Sequence, residues 1–446
     1  MEFPRHAAWL TNPDQSALFQ RQPEPHEPGH AAQDYPVIAV GAGQRYQAME
    51  GFGFALTGGS AYLISRLPLA EKADLLKELF SPEGTGIGIS YLRLSLGASD
   101  LSDGCFSYDD LPPGEEDWGL ARFDLFAGDV EVIPLLKEIL AINPGLKIIA
   151  SPWSAPAWMK TNKQWVGGTL RPECYPVYAQ YFIQYIQGMN GHGIPIHAIT
   201  TQNEPLNEKN EPSMVMASAD QAAFIKGHLG PALNEAGLAG VEVFCWDHNC
   251  DRPDYPLAVL DDPEARQFIA GVAWHLYGGD ISALSAVQAA HPDKKMVFTE
   301  QWVGRDGQFA GDLNWHMKNV LVGACRNWSR MVLEWNLASD PDCGPHTPGG
   351  EPNCVGALTI GPGIRRNVAY YVIAHAAKFV RPGSARIFSS PADFFPNVAF
   401  KTPDNAIVLI VLNEGQERRE FTIRYAGRVT GAMLDGGSVA TYVWPL

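Results

Sequence analysis

The chain has 446 residues, 46% of them apolar and 18% charged, enough to bury several cores and too apolar for intrinsic disorder. Its 33 Lys+Arg against 49 Asp+Glu leave a formal charge of −16, which repels phosphate backbones and excludes nucleic acid as the expected partner. Unbroken apolar runs such as Ala406–Leu412 reach seven residues, against about 20 for a spanning helix, so no integral membrane segment is expected.

At the N-terminus, Arg5 is followed by the short apolar run Ala7–Leu10 and then Thr11-Asn12-Pro13-Asp14, with no signal-peptide core. The expected location is cytoplasmic, or secreted or periplasmic if a leader has been removed. The first 45 residues are Pro-rich as far as Pro36–Val40, a candidate strand. Then a β-branched or aromatic run followed by a helical stretch recurs eight times. The runs are Gly51–Thr57, Ile89–Leu96, Lys147–Ser154, His197–Pro205, Glu242–Asn249, Gly271–Gly278, Lys295–Trp302 and Arg330–Leu337. Apolar residues return every three or four positions in Leu69–Phe80, Val130–Ile142, Tyr175–Asn190 and Ser218–Ala236, the pattern of helices covering strands. The alternation predicts an α/β fold, a (β/α)8 TIM barrel. From about Ser384 the texture changes to short strand-like runs, Ala406–Leu412, Glu420–Tyr425 and Ser438–Val443, separated by turns and reading as an antiparallel sandwich. Residues 46–383 are expected to form the barrel. Residues 1–45 and 384–446 are expected to build an accessory β-sandwich domain from both termini.

Seven cysteines are too few for a disulfide scaffold, and their odd number leaves at least one unpaired. Cys343 and Cys354 flank a Gly/Pro-rich loop, but spacing alone fixes no bridge. Cys245, His248 and Cys250 lie close together without a second ligand cluster, and no two His are two apart, so no metal and no cofactor is expected.

In such a barrel the reacting groups sit at the C-terminal ends of the strands. These ends carry Thr57, Gly97–Asp100, Trp153, Asn203-Glu204, Asp247-His248-Asn249, His275 with Tyr277, Glu300 with Trp302, and Glu334-Trp335-Asn336. Glu204 and Glu300 each interrupt an apolar strand, where an ionised carboxylate costs several kcal/mol unless compensated. Each taken alone could be a structural acid paired with Arg93; the two together, at strand ends four and seven, point to chemistry. Glycosidic bond cleavage uses such a pair, one acid protonating the departing oxygen while the other attacks the anomeric carbon or activates water. Trp153, Trp302 and Trp335 offer ring faces for sugar C–H surfaces.

The stretches Gln47–Gly53, Arg93–Asp100, Ser151–Asn162, Gln202–Pro205, Phe298–Glu300 and Glu334–Ala338 resemble the glycoside hydrolases of family 30, the glucosylceramidase-like group. The resemblance implies a retaining β-glycosidase acting on β-glucosidic bonds of a carbohydrate or glycolipid by double displacement, with Glu204 as acid/base and Glu300 as nucleophile. It further implies that Asn203 bonds the sugar 2-hydroxyl, that Tyr277 holds Glu300, and that Asp100, Trp153 and Trp335, with His275 beside them, bind the ring. Arg93 is the expected counter-charge. The negative charge of Glu300 is expected to raise the pKa of Glu204, and retention places the two carboxyl groups about 5 Å apart, against roughly 9 Å for inversion.

The sequence departs from the animal glucosylceramidases at Gly58, where those enzymes have an acid. Its Leu206–Met214 looks closer to members acting on β-1,6-glucan. β-Xylosidase or β-fucosidase activity on the same scaffold is an alternative. So is a non-catalytic carbohydrate-binding barrel, which the retention of both glutamates disfavours.

Overall fold

The computed structural model describes residues 6–22 and 35–445. Eight parallel strands close into a barrel: Gly51–Ala55, Tyr91–Ser95, Lys147–Ser151, Ala198–Thr200, Glu242–Cys250, Gly271–Gly279, Lys295–Glu300 and Ser329–Asn336. Each falls within or beside one of the eight runs read from the sequence. Side chains alternate along them. Tyr91, Ile149, Ala198, Phe244, Ala273, Val297, Met331 and Leu333 fill the barrel interior, while neighbours such as Leu92, Ile148, Val243, Val272 and Val332 pack outward under the helices. Burial on both faces is why these strands read as near-continuous apolar runs. Lys295 bridges Glu50 at 2.6 Å and Glu242 at 2.5 Å, and Lys147 reaches Glu50 at 3.1 Å, so charges gather at the end of the barrel remote from the expected chemistry.

The helices follow from sequence in the same way. Leu69–Phe80 starts after Pro68, carries Glu71 in its first turn and Lys77 in its last, and buries Leu75, Leu76, Leu79 and Phe80. The predicted helix 218–236 is interrupted by a wide turn at Ile225–Leu229. Pro231, just beyond, has no N–H to give, and a π turn accommodates it without ending the helix.

A nine-stranded sheet packs beside the barrel, in the order Gln20–Gln22, Ala7–Thr11, Val439–Pro445, Ala406–Leu412, Asn397–Lys401, Ala385–Ser389, Val37–Ala48, Arg419–Tyr425 and Arg428–Leu434. Ile38, Ile387, Leu409, Phe421 and Trp444, from five of these strands, share one core. N- and C-terminal segments therefore build it together, and the short run 7–10 is a strand of it. One pair departs from the antiparallel expectation: Val37–Ala48 runs parallel to Arg419–Tyr425.

Helix Val368–Ala377 is apolar on all sides because barrel and sheet both cover it. Its His375 spans Thr11 Oγ1 at 2.9 Å and Thr441 Oγ1 at 2.8 Å, joining both termini to the barrel. Burial holds this imidazole down at about 3, from an ordinary 6.5. The unfolded ring takes up a proton as pH falls through 6.5 whereas the folded ring stays neutral, so stability present above pH 6.5 declines below it, by at most about 1.4 kcal/mol per pH unit. Thermal melts of His375→Gln should accordingly lose less stability between pH 7 and pH 5 than the wild type loses.

Candidate active site

The barrel strands do not end regularly at the rim. Between the fifth and sixth strands, Trp246 pairs with Ala273 and His248 with Trp274, leaving Asp247 as an extra residue. Similar slips occur between Phe298 and Glu300 and between Glu334 and Asn336. Such bulges re-aim side chains. Here Asp247 turns into the barrel, with φ +63°. Glu204, four residues beyond the end of the fourth strand, takes φ +43°, and its N–H donates to the Asp247 carbonyl at 2.9 Å.

Arg93 stands at the centre, fully buried. Its Nη1 donates to Glu300 Oε2 at 2.5 Å, its Nη2 to Asn203 Oδ1 at 2.7 Å and Asp247 Oδ2 at 2.8 Å, and its Nε to Ser151 Oγ at 3.3 Å. Asp247 Oδ2 also accepts from Ser151 and Thr200, and Oδ1 from Thr299 and His275. Burial opposes the charge of Asp247, but Arg93 and these hydrogen bonds hold its carboxyl far below the usual range. Tyr277 donates its hydroxyl to Glu300 Oε1 at 2.9 Å. The Glu204 carboxyl meets His275 Nδ1 through Oε1 at 3.0 Å and accepts from Asn207 Nδ2 through Oε2 at 2.7 Å. Oxygens of Glu204 and Glu300 lie within 4.8 Å of each other.

Above this network opens a pocket of about 260 Å3. Asp100, Trp153, Glu204, Tyr277, Glu300 and Trp335 line it, as do Asn207, His248, Asn249 and Trp302. Trp153 and Trp335 lie face to face, ring centres 5.1 Å apart, and back onto the Arg93 guanidinium at 4.7 and 5.4 Å. Thr347, in the loop after the eighth strand, bonds the backbone of Asp100 at 2.8 Å and of Glu211 at 2.5 Å, so loops two, four and eight are tied together at one side of the mouth.

The sequence-derived residues converge, but two of the expected sugar ligands, Asn203 and His275, are not among the residues lining the pocket; Asn203 lies beneath it on Arg93. His275 is completely buried and does not line the pocket; it sits behind Glu204, with Nε2 on Asp247 at 3.1 Å. It is not placed to bind a sugar ring. The sequence reading assigned no role to Asp247 and Asn207. Asp247 carried the signal that singled out the glutamates, an acid ending the apolar run Val243–Trp246. Asn207 is an exposed-loop type with no local signal. Glu334, also in a strand, points outward to His316 Nδ1 at 2.8 Å and takes no part. Cys343 and Cys354 are unbridged, and Cys245 and Cys250 are in no ion-binding group among the described residues. Glu204, His275 and Glu300 are close enough together to hold a cation.

The electrostatics run opposite to the expectation for Glu204. Burial raises its pKa, but the hydrogen bond from His275 and the charges of His248 and His275 outweigh that and hold it down at about 2. Glu300 is raised by burial, with His275 and Arg93 pulling against it. Burial opposes protonation of His275, yet Glu300 and the bonds to Asp247 and Glu204 push it up to about 9. Asp100 is raised to about 7 by burial and by the charges of Glu300 and Glu204. Four carboxylates, Asp100, Glu204, Asp247 and Glu300, thus gather around one guanidinium, and three of them face the His275 ring.

The glycosyl hydrolase family 30 TIM-barrel domain matches residues 49–380, and the family 30 β-sandwich domain matches residues 383–442. The endo-1,6-β-D-glucanase neg1 of Aspergillus fumigatus is 32% identical over 90% of this chain and 85% of its own length. The lysosomal acid glucosylceramidase of Mus musculus is 26% identical over 90% and 82%. Among solved structures, the endo-β1,6-glucanase BT3312 superposes with a TM-score of 0.90 at 33% identity, covering 99% of both chains.

Truncating Asp247 leaves Arg93 half-paired inside the barrel. Asp247→Ala should destabilise the fold by about 3–5 kcal/mol in denaturant titrations, whereas Asp251→Ala, on the neighbouring surface, should change it by less than about 0.5 kcal/mol.

Proposed function

Starting from a chain that belongs to glycosyl hydrolase family 30, and is therefore a glycoside hydrolase, we propose that it cleaves β-1,6-linked glucan with retention at the anomeric centre. The observation that carries the mechanism is the approach of Glu204 and Glu300 oxygens to within 4.8 Å across the pocket. Inversion needs roughly 6.5–9.5 Å between the carboxyl groups to admit a water; the shorter separation suits direct attack.

Glu300 is the nucleophile. Arg93 keeps it ionised and Tyr277 orients its second oxygen, so one carboxylate oxygen faces the anomeric carbon. As the glycosyl ester forms, Glu204 protonates the departing oxygen, and it later takes the proton of the attacking water. Asn203, fixed by Arg93, presents its amide to the sugar 2-hydroxyl, a contact that strengthens in the transition state. Trp153 and Trp335 wall the ring, and Asp100 binds its hydroxyls.

Two observations favour glucan over glycolipid. The endo-1,6-glucanases match at 31–32% identity, against 26–28% for the glucosylceramidases. The pocket wall also includes Asn207, Asn210, His248 and Asn249, hydrogen-bonding groups that suit a hydroxylated acceptor and not a lipid chain.

Incubated side by side with linear β-1,6-glucan and glucosylceramide, the protein should release sugar from the glucan at least about tenfold faster, a difference of about 1.4 kcal/mol. The reverse ranking overturns the substrate assignment. Glu300→Ala should retain its fold and lose the activity. Glu204→Ala should lose activity on unactivated substrates and recover it with azide on an activated aryl glucoside, giving the β-glycosyl azide; an α product would contradict retention.

A further inference from the structure

His275 is the one buried ring that touches three carboxylates of the site. Nε2 faces Asp247 Oδ1 at 3.1 Å, and Nδ1 faces Glu204 Oε1 at 3.0 Å and Glu300 Oε1 at 3.7 Å. Asp247 accepts from Arg93, Ser151, Thr200 and Thr299, which fixes it as an ionised acceptor, so Nε2 must carry a hydrogen. On the other side a bare Nδ1 lone pair against a carboxylate oxygen would be repulsive. One further proton therefore occupies the Nδ1–Oε1 contact. His248 Nε2 also faces Glu204 Oε1, but at 3.8 Å and with burial opposing its protonation, so His275 at 3.0 Å is the nearer holder; the Tyr277 hydroxyl bonds Glu300 and Cys250 bonds the His275 carbonyl.

We propose that His275, backed by Asp247, is the proton store of the acid/base: in the free enzyme the proton destined for the departing oxygen rests on Nδ1 and passes through the Glu204 carboxyl. The inference rests on Glu204 being the acid/base. In the first step a Glu300 oxygen bonds to the anomeric carbon and the glycosidic C–O bond breaks, its electron pair staying on the departing oxygen. The Nδ1 proton moves to Glu204 Oε1 and from there to that oxygen, so Glu204 is a carboxylate before and after the step and a neutral imidazole is left with its hydrogen on Nε2. In the second step water attacks the anomeric carbon, the ester bond returns its pair to Glu300, and the water proton passes through Glu204 back to Nδ1. Loss of the Glu300 charge in the intermediate weakens the hold on that proton, which assists the first transfer. The directions found for the free groups, His275 up and Glu204 down, agree with this placement. His275 is on this account a positioning and proton-holding residue that never touches substrate.

Nitrogen NMR of the uniformly labelled protein, with the His275 signals assigned by their absence in His275→Gln, reads the store directly. An imidazolium at pH 7 that titrates near 9 is the expected result; a neutral ring at pH 7 overturns the proposal. Kinetics give a second reading. For aryl β-glucosides with poor leaving groups, the alkaline limb of kcat/KM should move to lower pH by about one unit or more in His275→Gln, because Glu204 must then hold the proton itself. Substrates whose leaving group needs no proton should be far less affected. A folded variant with an unmoved limb and equal losses on all leaving groups would make His275 merely structural. Azide rescue of Glu204→Ala tests the underlying assignment separately, so the two failures are distinguishable.

Discussion

The site depends on a guanidinium buried where no water reaches it. Arg93 without partners would cost several kcal/mol, so the surrounding strands must supply acceptors, and they supply them in the places catalysis needs. Its planar fork sets three directions at once: Glu300 on one arm, Asn203 and Asp247 on the other, Ser151 at Nε. Because Trp153 and Trp335 stack against the same group, the pocket walls are referenced to it as well. The cation therefore couples the charge of the nucleophile, the orientation of the 2-hydroxyl partner and the shape of the sugar site. A Lys in its place would keep the charge and lose the geometry.

Three strained backbone positions lie at the same rim. Glu204, Trp246 and Asp247 all take positive φ, at roughly 1–3 kcal/mol each for residues with a Cβ. A regular strand end would alternate its side chains in and out and deliver fewer groups to the centre. The bulge at Asp247 breaks that alternation, and the bond from the Glu204 N–H to the Asp247 carbonyl holds two strained residues against each other. Regular pairing lower in the barrel and the Glu50–Lys295–Glu242 bridges at its far end supply stability away from the chemistry.

This division explains what the sequence could reveal. The eight apolar runs announced the barrel because burial on both faces forbids polar residues except at the ends, and Glu204 and Glu300 stood out for that reason. Asp247 had the same character, but its chemistry depends on a one-residue bulge that no periodicity encodes. His275 was legible as a strand-end residue and misplaced as a sugar ligand, since inward-facing and pocket-lining positions differ by only a layer of depth. Gly58 shows the limit from another side. A Cβ built there would fall 1.9–2.2 Å from the Asp129 carboxylate. That carboxylate comes from a distant loop and accepts from Ser102 Oγ at 2.9 Å. A contact between residues as far apart in the chain as Gly58 and Asp129 is one that local sequence cannot express.

The reversed order of the two glutamates follows from distance. From sequence, Glu300 was the nearest charge to Glu204, and a neighbouring anion raises a carboxyl pKa. In the folded barrel Glu300 is paired with Arg93 at 2.5 Å, while His275 bonds Glu204 directly at 3.0 Å and outweighs the neighbouring anion. The directly bonded partner decides. Because that partner is itself a base of adjustable charge, the pair needs no carboxyl of unusual intrinsic acidity to act as acid in one step and base in the next. The proton has two resting places about 3 Å apart, and the charge on Glu300, present before the ester forms and absent after it, shifts the balance between them.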